Sequence, residues 1–213
     1  MLTVLVSNIK GGVGKTTIAT HIAASLAVGG RRTVLADVDR QRSSLGWLGR
    51  RGGTAAAIHG LDWVKGVGDV PAGTDALVID APAAMKPKDV EELVRMADVV
   101  VLPVLPGAFD EAATERFLAK LEELKAIRKH RIPVAVVGNR LRPRTKSAER
   151  LDTFLSGVGH QVVARLRDSQ AYPDLAASGL TLFDQSGKRA ADLKADWTPL
   201  LDFIHKPAGA SAA

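Results

Sequence analysis

Eight residues near the start, 10-KGGVGKTT-17, combine three glycines, two lysines and two threonines in one turn. Glycines at Gly11, Gly12 and Gly14 allow the backbone to turn several N–H groups toward one point, an anion-binding nest. The segment follows an apolar run and opens a helical pattern. Its N–H groups therefore coincide with the positive end of a helix dipole, and Lys15 adds a point charge suited to β- and γ-phosphates. The Thr16 hydroxyl is placed to ligand Mg²⁺. Gly11, Gly12, Val13, Gly14, Lys15, Thr16 and Thr17 are thus the candidate nucleotide cradle. Counting back from Gly14, the glycine that opens G-x-x-x-x-G-K-[ST] is replaced by Ile9, and Lys10 follows it. Phosphate binding accounts for one lysine and leaves Lys10 unexplained.

Two further segments carry carboxylates where an open α/β sheet binds ligands, at the carboxyl ends of apolar runs. In 35-LADVDRQRSS-44 they are Asp37 and Asp39, and in 75-DALVIDAP-82 the run ends in Asp80. The second has the form of a Walker B element, with Asp80 expected to hold Mg²⁺ through water.

This arrangement resembles the deviant Walker A ATPases, the ParA/MinD superfamily, whose loop reads xKGGxGK[ST]. The resemblance implies that Lys15 serves the ATP of its own subunit. It implies that Lys10 reaches across a sandwich dimer to the partner's phosphates, a cation delivered in trans like an arginine finger. Asp39 matches the aspartate of the family's D-x-D-P-Q element that orients the attacking water, and Asp37 is expected nearer the Mg²⁺ shell. Arg40 stands where the family usually has proline. In 136-VVGNR-140, Asn139 falls where many members contact adenine, and 167-RDSQAYPD-174 resembles the loop that closes over the base, through Ser169 to Tyr172.

Positioning these groups requires a sheet. The runs 2–7, 33–38, 76–80, 98–104, 133–138 and 161–166 read as buried parallel strands. Helical patterns lie at about 16–28, 87–96, 110–128, 147–156 and 188–205, with Gly29-Gly30 ending the first and Asp110 as N-cap of the third. Alternation of this kind predicts a doubly wound, mostly parallel α/β sheet with helices on both faces, and the resemblance implies the P-loop NTPase fold of deviant Walker A type. Residues 1–205 are expected to form one ATPase domain and 206–213 a flexible tail.

Composition narrows the functions. The 213 residues include no cysteine, which excludes disulfides, iron–sulfur clusters and thiolate zinc sites, and with them the nitrogenase iron-protein branch. The five histidines (His21, His59, His130, His160 and His205) show no metal-like spacing. No apolar run reaches the ~18 residues of a membrane span, and the N-terminus does not read as a signal peptide. A cytoplasmic location is expected, and the resemblance implies association with the nucleoid.

The chain carries +6, with 29 lysine and arginine against 23 acids. Residues 128–167 hold ten basic residues against Glu149 and Asp152, a net +8, leaving 19 basic and 21 acidic elsewhere. The basic character is local and suggests a polyanion partner. Arg140, Arg142, Arg144, Lys146, Arg165 and Arg167 are the candidate DNA contacts. Only 4% of residues are aromatic, so phosphate contact with duplex is favoured over base stacking.

The stretches 103-PVLPGAFDEAATERF-117 and 172-YPDLAASGLTLFD-184 look most like small ParF-like ParA proteins, which lack an N-terminal helix-turn-helix. The resemblance implies an ATP hydrolase, weak alone and stimulated by DNA and a ParB-like or adaptor protein. It would act as an ATP-dependent homodimer that holds duplex DNA without sequence preference and positions a plasmid, chromosome region or protein cargo. The alternatives are a MinD-like membrane-associated regulator and an ATP-dependent synthetase of the same superfamily. Against the former, Trp197, Leu200, Leu201 and Ile204 form a stripe interrupted by Pro199 with little basic flank, which reads as a docking helix.

Overall fold

The computed structural model describes residues 1–129 and 131–205. Seven parallel strands form one sheet in the order β3-β2-β4-β1-β5-β6-β7. They are β1 (Leu2–Val6), β2 (Thr33–Asp37), β3 (Ile58–Asp62), β4 (Ala76–Asp80), β5 (Val99–Val104), β6 (Val134–Leu141) and β7 (Val162–Arg167). The apolar runs become strands because both faces of the sheet are covered. Leu5, Leu35, Val78 and Val101 are fully buried.

One face packs on helix α1 (Lys15–Val28), where Ile18, Ile22 and Leu26 meet Val4, Val78 and Val101. The same layer receives α2 (Ser43–Leu48) and the C-terminal elements. The opposite face packs on α3 (Pro87–Met96), α4 (Ala108–Glu123), α5 (Lys125–Arg128) and α6 (Lys146–Gly157), through Leu93, Phe117, Leu121 and Leu151. Helix α1 ends at the expected glycines, with Gly30 at φ 84° and its N–H bonded to the Ala27 carbonyl.

Several expectations need correction. The helix expected over 110–128 is two, α4 and α5, broken at Leu124, whose backbone is extended. Strand β3 is additional to the expected set: Ile58-His59-Gly60-Leu61-Asp62 is a half-exposed edge strand without a continuous apolar run. The N-cap of α4 is Gly107 rather than Asp110, which lies in the first turn. The loop expected over 167–174 gives way to helix α7 (Ala171–Ala177). The helix expected over 188–205 is two, α8 (Lys188–Lys194) and α9 (Thr198–His205), broken where Trp197 turns into the core. Pro199 sits in the first turn of α9, where its missing N–H costs nothing. Trp197, Leu200 and Ile204 are buried and Leu201 packs against the same cluster, so α9 docks on the sheet as the stripe suggests. No helix among the described residues is long and apolar enough to cross a membrane. The expected tail, 206–213, lies outside the described residues, as does His130.

Candidate functional site

Chain reversal puts the site at the carboxyl edge of the central strands. β1 pairs with β4 on one side and β5 on the other, so the loop after β1 opens into the crevice between the two halves of the sheet. Gly14 takes a left-handed conformation (φ 93°) at the N-terminus of α1, and a Cβ there would fall 2.3 Å from Asn139 Nδ2. Only glycine fits both constraints.

Two asparagines brace this loop. The Asn139 side chain donates to the Val13 carbonyl at 2.8 Å and accepts from the Arg140 N–H at 2.9 Å. Asn8, which is not among the residues expected from sequence, accepts from the Lys10 N–H at 3.0 Å and donates to the Pro103 carbonyl at 2.8 Å. Its signal in the sequence is an asparagine two residues before the turn, the spacing of an Asx turn.

The two lysines differ. Lys15 is buried, and its Nζ donates to the Lys10 carbonyl at 2.9 Å, folded back across the loop. Burial lowers its pKa, against the attraction of Asp80 and Asp39. The Lys10 side chain is half-buried and makes no hydrogen bond or ion pair among the described residues.

Strand register sets the carboxylates beside the loop. Asp37 and Asp80 are direct neighbours on β2 and β4. Asp37 is fully buried; Oδ1 accepts from the Asp39 N–H at 3.0 Å, and Oδ2 accepts from the Ser44 and Leu45 N–H groups at 3.0 and 3.1 Å. It thereby ties the Asp39 turn and the start of α2 to the sheet. Asp39 is half-buried at the crevice, its Oδ1 accepting from the Gln41 N–H. Arg40 is exposed, and Arg42 holds a left-handed backbone (φ 50°) while its guanidinium pairs with Asp62 at 2.7 Å.

Asp80 is buried, and its pKa is pushed up to about 7, first by burial and then by the Asp37 charge. The Thr16 and Ser44 hydroxyls and Lys15 pull it back. No hydrogen bond of ordinary geometry reaches Asp80 Oδ2, which is buried without a partner, as is Ser44 Oγ. A buried orphan carboxylate oxygen next to a hydroxyl and a phosphate loop fits a hydrated divalent cation, so these residues suit magnesium nucleotide. Ser44 carries no local signal in the sequence, because only folding brings α2 against β4.

Beside the loop lies a cavity of about 400 Å³ whose lining includes Thr17, Asn139, Arg140, Ser169, Tyr172 and Trp197. It is open enough for a nucleobase and lies at the first turn of α1. Asn139 and the Ser169–Tyr172 segment, expected near a base, are therefore brought together. An aromatic group backs it. Buried His21 stacks on Trp197 at 4.8 Å, its Nδ1 lies 2.8 Å from the Thr17 carbonyl, and its Nε2 accepts from the Leu182 N–H at 3.4 Å.

The six basic candidates separate. Arg142, Arg165 and Arg167 pair with Asp168, Asp152 and Asp196, at 2.9, 2.5 and 2.7 Å. Arg140, Arg144 and Lys146 are exposed and carry no ion pair among the described residues; Arg140 and Arg144 hold left-handed backbones. Folding thus neutralises part of the +8 segment, in two of the three pairs with acids from outside it.

Residues 4–183 match the model of the CobQ/CobB/MinD/ParA nucleotide binding domain. The chain is 32% identical over 203 residues to Maintenance of carboxysome distribution protein A of Gloeobacter kilaueensis, covering 91% of this chain and 89% of that one. It is 28% identical over 199 residues to the protein of the same name from Halothiobacillus neapolitanus, covering 89% and 91%. A plasmid partition protein from Borrelia burgdorferi, solved bound to AMPPNP, superposes with a TM-score of 0.75 at 14% identity, over 95% of this chain and 99% of that one. With the lysine-flanked loop, the paired strand-end aspartates and the parallel sheet all in place, the chain belongs to the CobQ/CobB/MinD/ParA nucleotide-binding family of ATPases.

Proposed function

We propose that this protein is a ParA-like positioning ATPase that binds ATP and Mg²⁺, closes as a sandwich dimer, holds duplex DNA without sequence preference and distributes a protein cargo. The observation that carries this reading is the contrast between the two lysines of one loop. Lys15 is buried, its Nζ folded back onto the Lys10 carbonyl, whereas Lys10 is half-buried and its side chain has no partner among the described residues. A second cation unengaged on its own subunit suits delivery to the neighbour's phosphates.

Each residue has a physical role in this reading. The N–H groups from Gly11 to Thr17 receive the phosphates, and Lys15 exchanges its hold on the Lys10 carbonyl for the β- and γ-oxygens. Thr16 and Asp80 would hold a hydrated Mg²⁺, with Asp37 fixing the Asp39 turn. Such an ion would supply neutralisation of phosphate charge. Asp39 orients the attacking water, and Asn139 retains one N–H and one lone pair for the base after bracing the loop. Arg140, Arg144 and Lys146 provide charge for DNA phosphates, with Arg142, Arg165 and Arg167 able to join by leaving their aspartates. A ParB-like or adaptor protein would stimulate hydrolysis, and release from the nucleoid would follow. A protein cargo is favoured over a plasmid because two relatives aligned over about nine-tenths of their length are named for distributing carboxysomes.

Sedimentation with ATP and Mg²⁺ tests it. Lys10→Ala should bind ATP and stay monomeric, while Asp39→Ala should bind, dimerise and remain dimeric. Normal dimerisation and turnover of Lys10→Ala would remove the trans role.

A further inference from the structure

Asp39 and the base cavity lie on different parts of the chain, yet one buried junction fastens them together. From Asp37 to Arg51 the backbone is a continuous hydrogen-bonded unit. Asp37 accepts from the Asp39, Ser44 and Leu45 N–H groups, the Arg42 N–H donates to the Asp39 carbonyl, and the Arg51 N–H donates to the Leu48 carbonyl. The far end of that unit is bolted to residues 176–184. Arg51 and Asp184 form a two-pronged ion pair (3.0 and 2.7 Å) with side chains only 4% and 5% exposed. Arg51 also donates to the carbonyls of Gly179 and Ala56, at 3.1 and 2.9 Å, and its guanidinium lies 5.2 Å over Trp47. Arg50 reaches the Ala176 carbonyl, and Trp47 Nε1 the Leu180 carbonyl. Gly179 is left-handed (φ 68°) and so closely apposed that a Cβ would sit 2.4 Å from the Arg51 nitrogen.

Residues 176–184 follow directly from α7, whose Tyr172, Pro173 and Ala176 line the base cavity. We infer that Arg51, through Asp184, is a positioning residue that couples base occupancy to the Asp39 segment, so that a bound base orders the turn that holds Asp39. A surface arginine would not serve. The contribution here comes from a fork that satisfies a carboxylate and two carbonyls with both side chains almost out of contact with solvent. Asp184 is held in turn by the Thr181 N–H and hydroxyl, both at 2.8 Å, so the anchor cannot swing. Arg42 and Asp62 tie only the outer edge of the same unit and are half-exposed.

The inference rests on the nucleotide-binding reading, and the test separates the two. Amide hydrogen exchange in peptides covering 39–51 is measured with Mg²⁺ alone, with pyrophosphate and with ADP, both at saturation. Pyrophosphate reports what the phosphates order, and the ADP-minus-pyrophosphate difference reports the base. In the wild type ADP should slow exchange beyond pyrophosphate by roughly 2- to 30-fold, the range such couplings span. Arg51→Met combined with Asp184→Asn removes both charges together, so neither is left buried alone. Arg51→Lys keeps the charge without the fork, and it carries the test if the double variant does not fold. In either folded variant ADP should still bind while the ADP-minus-pyrophosphate difference collapses toward onefold. A merely structural role would raise exchange equally in all three conditions and leave that difference intact, which would overturn the inference, as would a wild type with no difference. Failure of the wild type to bind ADP would instead overturn the nucleotide reading itself.

Discussion

His21 offers a quantitative test of how α1 is fixed beneath the nucleotide site. It is fully buried, stacked on Trp197, and uses both ring nitrogens, Nδ1 toward the Thr17 carbonyl and Nε2 toward the Leu182 N–H. Protonation would set an N–H against the Leu182 N–H in a buried site. Burial accordingly lowers its pKa from 6.5 to about 4, against the Thr17 carbonyl and the Asp184 charge, which raise it. A folded-state pKa below the unfolded one means the unfolded chain takes up the proton first. The stability is therefore complete above pH 6.5 and is lost as pH falls toward 4. Integrating between those values gives a loss of about 2 kcal/mol by pH 5 and about 3 kcal/mol by pH 4. Asp80 acts in the opposite sense, because its pKa is raised to about 7 and its protonation favours the ligand-free fold on acidification. The measurement must cancel that. Urea unfolding of wild type and His21→Phe, each from pH 8 to pH 5, gives a stability difference in which Asp80 drops out. Relative to the variant, the wild type should lose about 2 kcal/mol over that range. A difference flat across the range would refute the reasoning, whatever the constant cost of the substitution.

Lys15→Ala should abolish binding of a fluorescent ATP analogue by equilibrium titration, because the phosphate nest then lacks its inward-facing cation. Asp80→Asn should raise the unfolding midpoint of the ligand-free protein at pH 8, since a buried carboxylate with a pKa near 7 is charged there at a cost, while weakening the Mg²⁺ dependence of ATP affinity; an unchanged midpoint would contradict its burial as a charge. Glutamate at Arg140, Arg144 and Lys146 together should lower ATP-dependent duplex affinity, with ATP affinity spared. The salt slope of that binding, followed by fluorescence anisotropy, should fall by about one for each phosphate no longer neutralised. The same change at Arg142 and Arg165 should do less, because each already spends its charge on an aspartate.

The phosphate loop, Asp39, Asp80 and most of the sheet are legible in the sequence because the information lies within a few residues. A strand–turn–helix fixes the geometry of 10–17 locally, and a continuous apolar run ending in aspartate marks a buried strand whose carboxyl end faces the crevice. What folding alone decides involves partners far apart along the chain. β3 exists because β2 offers it an edge, not because Ile58–Asp62 is strongly apolar. The C-terminal helix breaks because burying Trp197 against His21 outweighs continuing the helix. Arg142 and Arg167 look free in a basic run until Asp168 and Asp196 arrive from 26 and 29 residues away. Arg51 meets Asp184 across 133 residues. Periodicity and turn chemistry report backbone preferences over one or two turns, whereas ion pairs and side-chain packing depend on how the sheet's crossovers bring distant segments to the same edge.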